Sequence, residues 1–438
     1  MTDLIEAPIE TEAPEPPGSI GALLRLIGIT ALLVAGFVLL GWGALLVVIV
    51  ALIAMVMLHE FGHFATAKWA GMKATEFFVG FGPRLWSVRK GETEYGVKAI
   101  PAGGYVRIIG MTSAEEIDPS DEPRAYRNQP FAKRIVVASA GSAMHFLLAF
   151  ILAFCALAFI GKPDPSVIKV QGYLNFGNGV HTPAQIGGIR SGDQIIKVDG
   201  VKVTDATALS TAVHHHAPGT AVTITVLRAG HPVKLTVTPV DGRSVKVNGK
   251  ALAPTSGPAT GYLGVSLAEG SSTVGPLSAL VDSAGVVRQV TVAAGVGMYH
   301  LFSPAGIQSY AHQVANPSSA SSSVTATAGQ APRPESIVGA VRTATQATHA
   351  GILPLLEVLI SINIFIGILN MLPMLPLDGG HVAIASYEWM RTRRGRPMYR
   401  ADVRKLMPAV YLFVGLLLAL VMSSLYLDLT HPAANPFR

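Results

Sequence analysis

The residues best suited to chemistry are His59, Glu60 and His63, in the run His59-Glu60-Phe61-Gly62-His63. On a helix, positions i and i+4 lie on one face. Two imidazoles at that spacing can ligate one zinc ion, and the carboxylate beside the first can act as general base on a water there. The run falls at the end of a long apolar segment, where His and Glu are costly to place and therefore functional by default. A closed structural zinc site needs four protein ligands, whereas a catalytic one needs three and keeps a position open. The third ligand must come from elsewhere. Asp378 is an acidic residue that abuts another apolar run in a glycine-rich turn, within NMLPMLPLDGGH at 370–381. Pro373 and Pro376 break a helix there, which frees backbone groups to face a cavity or an extended substrate. Gly379 and Gly380 permit close approach of backbone or metal. His381 is a rival ligand, for which a solvated loop histidine is the plainer reading.

The elements that must position these residues are read from hydropathy. Four uncharged apolar runs cover residues 26–58, 135–161, 358–377 and 406–427. A bilayer core needs about 20 apolar residues in a helix, so each run can cross it. The first is longer than one crossing requires, and Gly41-Trp42-Gly43 interrupts it, which suggests two segments at about 22–40 and 43–67. Only 14% of the 438 residues are charged and 50% are hydrophobic, against roughly 25% charged in ordinary soluble domains. This balance argues against a disordered or a wholly soluble chain. The net charge of +6 is spread along the sequence without a basic stripe interleaved with aromatics, so nucleic-acid binding has no support. The single cysteine, Cys155, excludes an internal disulfide and a cysteine-based zinc knuckle.

The basic residues set the expected orientation. Residues 378–405 hold Arg391, Arg393, Arg394, Arg396, Arg400, Arg404 and Lys405. This short loop is expected on the cytoplasmic side, and residues 68–134, with eleven Lys and Arg, fall on the same side. The long section 162–357 then lies outside. Residues 1–20 are acidic and Pro-rich and read as a disordered tail. The N-terminal membrane segments span 22–70. Residues 71–130 read as a β-hairpin and loop region, followed by a membrane helix at 131–161. Residues 164–240 form a small β-rich domain. Residues 241–350 are an extension with a Ser/Pro-rich linker at 316–334 and an amphipathic helix within 277–310. Membrane helices follow at 355–377 and 406–427. The fold class is thus a polytopic α-helical membrane protein with four core membrane helices, a fifth if the first run crosses twice, a membrane-associated β-hairpin region and an inserted β-rich domain.

The His59–His63 pair in a membrane segment, FVGFGP (78–83), GGIRSGD (187–193) and NMLPMLPLDGGH occur in that order. Together they resemble the site-2 protease family of intramembrane zinc metalloproteases, particularly its bacterial PDZ-containing branch, over about residues 38–427. The resemblance implies that His59, His63 and Asp378 bind zinc and that Glu60 is the catalytic acid/base. It implies that residues 164–240 are a PDZ-like domain outside the membrane. It also implies that residues 73–110 present substrate as a strand, with Gly80, Phe81 and Gly82 at the substrate, and that Asn370 lines the site near the substrate backbone. Where the family usually carries Gly-Pro-x-x-Asn, this chain reads Gly141-Ser142-Ala143-Met144-His145. His145 would then donate a hydrogen bond to the substrate or oxyanion, or sit near zinc. The expected activity is hydrolysis of peptide bonds in or near membrane segments of membrane-anchored substrates, such as anti-sigma factors or remnant signal peptides, in a bacterial plasma membrane. The alternative is a catalytically inactive PDZ-containing membrane scaffold.

Overall fold

In the computed structural model the described residues are 18–111, 115–176, 180–247, 250–251, 253, 258–272, 274–317, 333–392 and 399–437. Most of the acidic tail, most of the 316–334 linker, and Arg393, Arg394 and Arg396 lie outside them. Among the described residues six helices are long and apolar enough to cross a membrane.

The chain divides into two compact units, Met1–Phe154 with Asp282–Arg438, and Cys155–Val281. In the first unit, helix α1 (Ile20–Leu39) and helix α2 (Gly43–Trp69) replace the single long apolar run. They part at Gly41, whose φ of +75° is a left-handed conformation that glycine adopts without a Cβ penalty. Strands β1 (Ala74–Lys90) and β2 (Thr93–Ile108) form an antiparallel hairpin. Helix α3 (Phe131–Cys155) follows. Ala67, Ala70 and Met72 at the end of α2 pack with Ala74 of β1, Ile108 of β2 and Val137 and Ala138 of α3 into one core. This core fixes the hairpin to the helix end that carries the histidines.

The second unit contains β3 (Lys162–Tyr173), α4 (Pro183–Ile186), β4 (Gln194–Val198), β5 (Val201–Lys202), α5 (Ala206–His214), β6 (Val222–Arg228) and β7 (His231–Val237). Short strands β8 (Val240–Asp241), β9 (Lys246–Val247), β10 (Lys250–Ala251) and β11 (Gly261–Tyr262) precede β12 (Val265–Ser272). The sheet order is β12-β3-β4-β6-β7, with β5 on β4. The sheet therefore takes in a strand from beyond residue 240. Ile168, Ile195, Val222, Ile224, Val226 and Leu209 fill its core. Asp193 of GGIRSGD is buried, accepts two hydrogen bonds from Arg228 at 2.8 and 2.7 Å, and caps Arg190 N at 2.8 Å.

Helix α6 (Pro276–Phe302), helix α7 (Pro304–Ala315) and helix α8 (Ile337–Ala350) lead to helix α9 (Ile352–Asn370), helix α10 (Asp378–Arg391) and helix α11 (Met407–Thr430). Helix α6 is a membrane-length helix beyond the expected four or five. It contains Asp282 and Arg288, and its mean hydropathy of 1.2 is the lowest of the six, so no uncharged run marks it. Val286, Val287 and Val290 of α6 pack on Ala149 and Ala153 of α3 and on Ile360 and Ile364 of α9. Ala344 and Ala347 of α8 pack with Val48 and Met55 of α2 and Leu355 of α9.

Candidate metal centre

His59 and His63 sit one turn apart near the end of α2, both buried. Their Nε2 atoms lie 3.2 Å from each other. The Nδ1–H of His63 donates to the carbonyl of Val137 on α3 at 2.7 Å. A carbonyl only accepts, so the proton is on Nδ1 and the Nε2 lone pair faces His59.

Asp378 is the first residue of α10. Its Oδ2 lies 3.5 Å from His59 Nε2 and 3.3 Å from His63 Nε2. Gly379 and Gly380 make this position reachable. A Cβ on Gly379 would stand 2.3 Å from the carbonyls of Met371 and Leu372, and one on Gly380 would stand 2.6 Å from Leu375 N. Only glycine lets α10 start hard against the loop that precedes it.

The three side chains fit a metal. An ion with tetrahedral bonds of about 2.0–2.1 Å keeps its donors about 3.3 Å apart, close to the three separations observed. Asp378 Oδ2 is buried and has no hydrogen-bond donor among the described residues, as expected of an oxygen awaiting a cation. Gly141 of α3 completes the cradle. A Cβ there would stand 2.3 Å from His63 Nε2 and 2.6 Å from His59 Nε2, inside the space of the imidazoles.

Glu60 points to the hairpin, where its Oε2 accepts from Val106 N of β2 at 3.0 Å. His145 is buried on α3, its ring centroid 5.0 Å from that of His59. Its Nδ1 lies 2.9 Å from Oδ1 of the fully buried Asn363 of α9, whose amide NH2 donates to Leu359 O at 2.8 Å. His381 is outside the His59–His63–Asp378 group and stacks edge-on to Tyr126 at 6.3 Å. Asn370 ends α9, and among the described residues no hydrogen bond joins its side chain to the group. Gly80 and Gly82 have φ of +85° and +84°. Phe81 between them is 45% exposed and stacks on Tyr105 at 6.0 Å.

Residues 47–418 match the family model of Peptidase family M50. The chain belongs to peptidase family M50. With that membership it is a zinc metallopeptidase embedded in a membrane by several helices, of the site-2 protease type. Among relatives of this M50 peptidase is the zinc metalloprotease Rip1 of Mycobacterium tuberculosis, 34% identical over 422 residues, covering 89% of this chain and 96% of that one. Rip1 of Mycolicibacterium smegmatis is 31% identical over 412 residues, covering 87% and 96%.

Three contributors around this group do not stand out as site residues from the sequence. The Val137 carbonyl has no sequence signal. Gly141 stands in the family's Gly-Pro-x-x-Asn pattern, but nothing in the chain around it shows that two imidazoles face it. Asn363 had a signal, an amide in an uncharged apolar run, where polar side chains are costly unless paired.

Proposed function

We propose that His59, His63 and Asp378 are the zinc ligands of this peptidase, that Glu60 is its proton-transferring residue, and that it cuts membrane-anchored protein substrates in a bacterial cell membrane. The single observation that carries the ligand set is the trio of donors 3.2–3.5 Å apart around one point. Zinc, when bound, supplies Lewis acidity that lowers the pKa of a water and polarises the scissile carbonyl.

The chain's own residues do the rest. Glu60 is held by Val106 N through Oε2, and its Oε1 has no hydrogen-bond partner among the described residues. That oxygen takes a proton from the attacking water and passes it to the leaving amine. His63 is locked by Val137 O into the tautomer a ligand needs. A helical substrate hides its amides and must unwind locally. The hairpin then pairs with the unwound strand by main-chain hydrogen bonds, at Gly80, Phe81 and Gly82, where the β1–β2 register is irregular. Asn370 lines the path of the substrate backbone.

His145 takes a role different from hydrogen-bond donation. The NH2 of Asn363 is spent on Leu359 O, so its oxygen faces His145, and Nδ1 carries the imidazole proton. The neutral ring therefore offers Nε2 as an acceptor, suited to a substrate N–H. Residues 164–240 serve as a PDZ-like domain that screens substrates outside the membrane.

The test is purification in detergent with zinc quantified per chain and cleavage of a membrane-peptide substrate followed. Glu60→Gln is expected to keep zinc and lose cleavage by about 10²–10⁴-fold. Asp378→Asn is expected to lose zinc. Wild-type cleavage rates in Glu60→Gln would overturn the role given to Glu60.

A further inference from the structure

A cleft of about 810 Å³ opens between the start of α3, α10 and the start of α11. Four guanidinium groups line it, from Arg127, Arg134, Arg400 and Arg404, against two carboxylates, from Glu122 and Glu388. Both carboxylates are already engaged. Glu388 holds Arg134 at 2.6 Å, with both side chains buried, and Glu122 holds Arg127 at 2.8 Å. Arg400 gives its Nη atoms to neutral oxygens, Arg127 O and Asn128 Oδ1. Arg404 has no side-chain partner among the described residues, and neither arginine has a carboxylate within ion-pair distance there. The cleft thus keeps two uncompensated cations.

Its remaining wall is mostly apolar, with Leu375, Ile384, Met407 and Val410, and includes the side chains of Tyr126 and His381. Leu375, Ile384 and Val410 also line a second cleft of about 390 Å³ along the α10–α11 seam, whose rim carries Asp402 and Lys405, a pair of opposite charges. A cationic mouth therefore leads into a largely apolar groove. Tyr387, Trp389, Tyr399 and Tyr411, between 38% and 68% exposed, surround this level of the fold. Exposed Trp and Tyr concentrate at membrane–water interfaces. Charge, shape and depth together match one kind of occupant.

We propose that this cleft binds an anionic phospholipid of the cytoplasmic leaflet, its phosphate at Arg400 and Arg404 and an acyl chain along the α10–α11 seam. The wall segment Leu375–Pro376 runs directly into Asp378, so a bound lipid braces the loop that presents this carboxylate. The binding claim stands on the cleft alone, and only the bracing consequence rests on Asp378 as a zinc ligand.

The experiment is native mass spectrometry of the full chain released from nanodiscs of phosphatidylcholine mixed with phosphatidylglycerol. The wild type is expected to retain phosphatidylglycerol over phosphatidylcholine by roughly tenfold or more, the scale of two arginines at an anionic surface. Arg400→Gln/Arg404→Gln is expected to lose that preference, and both positions are exposed enough for the fold to survive. Arg89→Gln/Lys90→Gln, equal in charge change but at the hairpin tip, is expected to keep it. Equal retention of the two lipids by the wild type, or equal loss in both double variants, overturns the proposal. Displacement of the lipid by glycerol 3-phosphate as readily as by short-chain phosphatidylglycerol would assign the cations to a soluble phosphate. Displacement by an acidic peptide alone would assign them to a protein segment. Either result overturns a lipid site. Zinc retention against a chelator, read in both lipid mixtures, tests the bracing separately from lipid binding and from proteolysis.

Discussion

At the scale of single residues, the metal centre depends as much on an absent side chain as on those present. The proposed ligands His59, His63 and Asp378 offer the donors, but Gly141 supplies the room for them. Ala is the better helix former by about 1 kcal/mol, so Gly141→Ala should leave α3 intact or slightly firmer. The added methyl would nevertheless stand 2.3 Å from His63 Nε2 and push the imidazoles apart. Zinc content is expected to fall to a small fraction of one per chain while the thermal transition stays near that of the wild type. Metal analysis beside a melting curve checks this, and full zinc occupancy in the variant would show that the imidazoles have slack. The histidine pair was legible in the sequence, because i, i+4 spacing on one helix places both imidazoles together, whereas Asp378 was legible only as an acidic residue in a glycine-rich turn beside another apolar run. Gly141 was legible only as part of a departure from a family pattern, since its effect lies in a neighbouring helix.

At the scale of elements, the hairpin is tied to the end of α2 by charge as well as by its apolar core. Glu92, at the turn between β1 and β2, binds Arg124 at 2.6 and 2.9 Å and Lys68 of α2 at 2.5 Å. The Arg124 hydrogen bonds, aided by Lys68, pull the Glu92 carboxyl from its ordinary 4.5 down to about 2. A depressed folded-state value means that the tie is fully present above about 4.5. It weakens as pH falls from there toward 2, where the folded state also takes up the proton. Spin labels at Trp69 and Lys90, both exposed, in a Cys155→Ser background are expected to give a narrow distance distribution at pH 6 that broadens below pH 4. In Glu92→Gln the distribution should be broad at both values. A width independent of pH in the wild type would refute this. Because β2 also holds Glu60 through Val106, loosening the hairpin also loosens the residue proposed to transfer the proton. The glycine punctuation of 73–111 announced strands, but not that their amides would reach Glu60.

At the scale of the membrane unit, the last helix is locked to the segment before α8 by a buried network. Asp428, near the end of α11, accepts from Arg333 at 2.7 Å and from Ser336 N and Oγ, both at 2.7 Å. Gly339 allows this contact, since a Cβ there would stand 2.3 Å from Asp428 Oδ2. Removing one member of a buried ion pair leaves the other charge uncompensated, at about 3–5 kcal/mol. Asp428→Ala is therefore expected to lower the melting temperature in detergent by several degrees without changing zinc per chain. An unchanged melting temperature would show that α11 is held by its apolar face alone. Helix α6 belongs to this scale too. Asp282 and Arg288 make it read as an amphipathic helix and not as an uncharged run, yet it is of membrane length and packs against α3 and α9 through valines at helical spacing.

The sequence by itself determined the chemistry on offer and the solvent of its elements. Two imidazoles one turn apart with a carboxylate beside the first are local facts, and uncharged stretches of membrane length leave little freedom about where they go. Tertiary packing alone decided that Asp378 closes on those imidazoles, that Val137 and Asn363 fix the protons of His63 and His145, and that Gly141 clears the space between them. The physical reason is range. Helical spacing and hydropathy act between neighbours in the chain, whereas a coordination sphere is set by how distant backbones fit against one another, which no single stretch encodes.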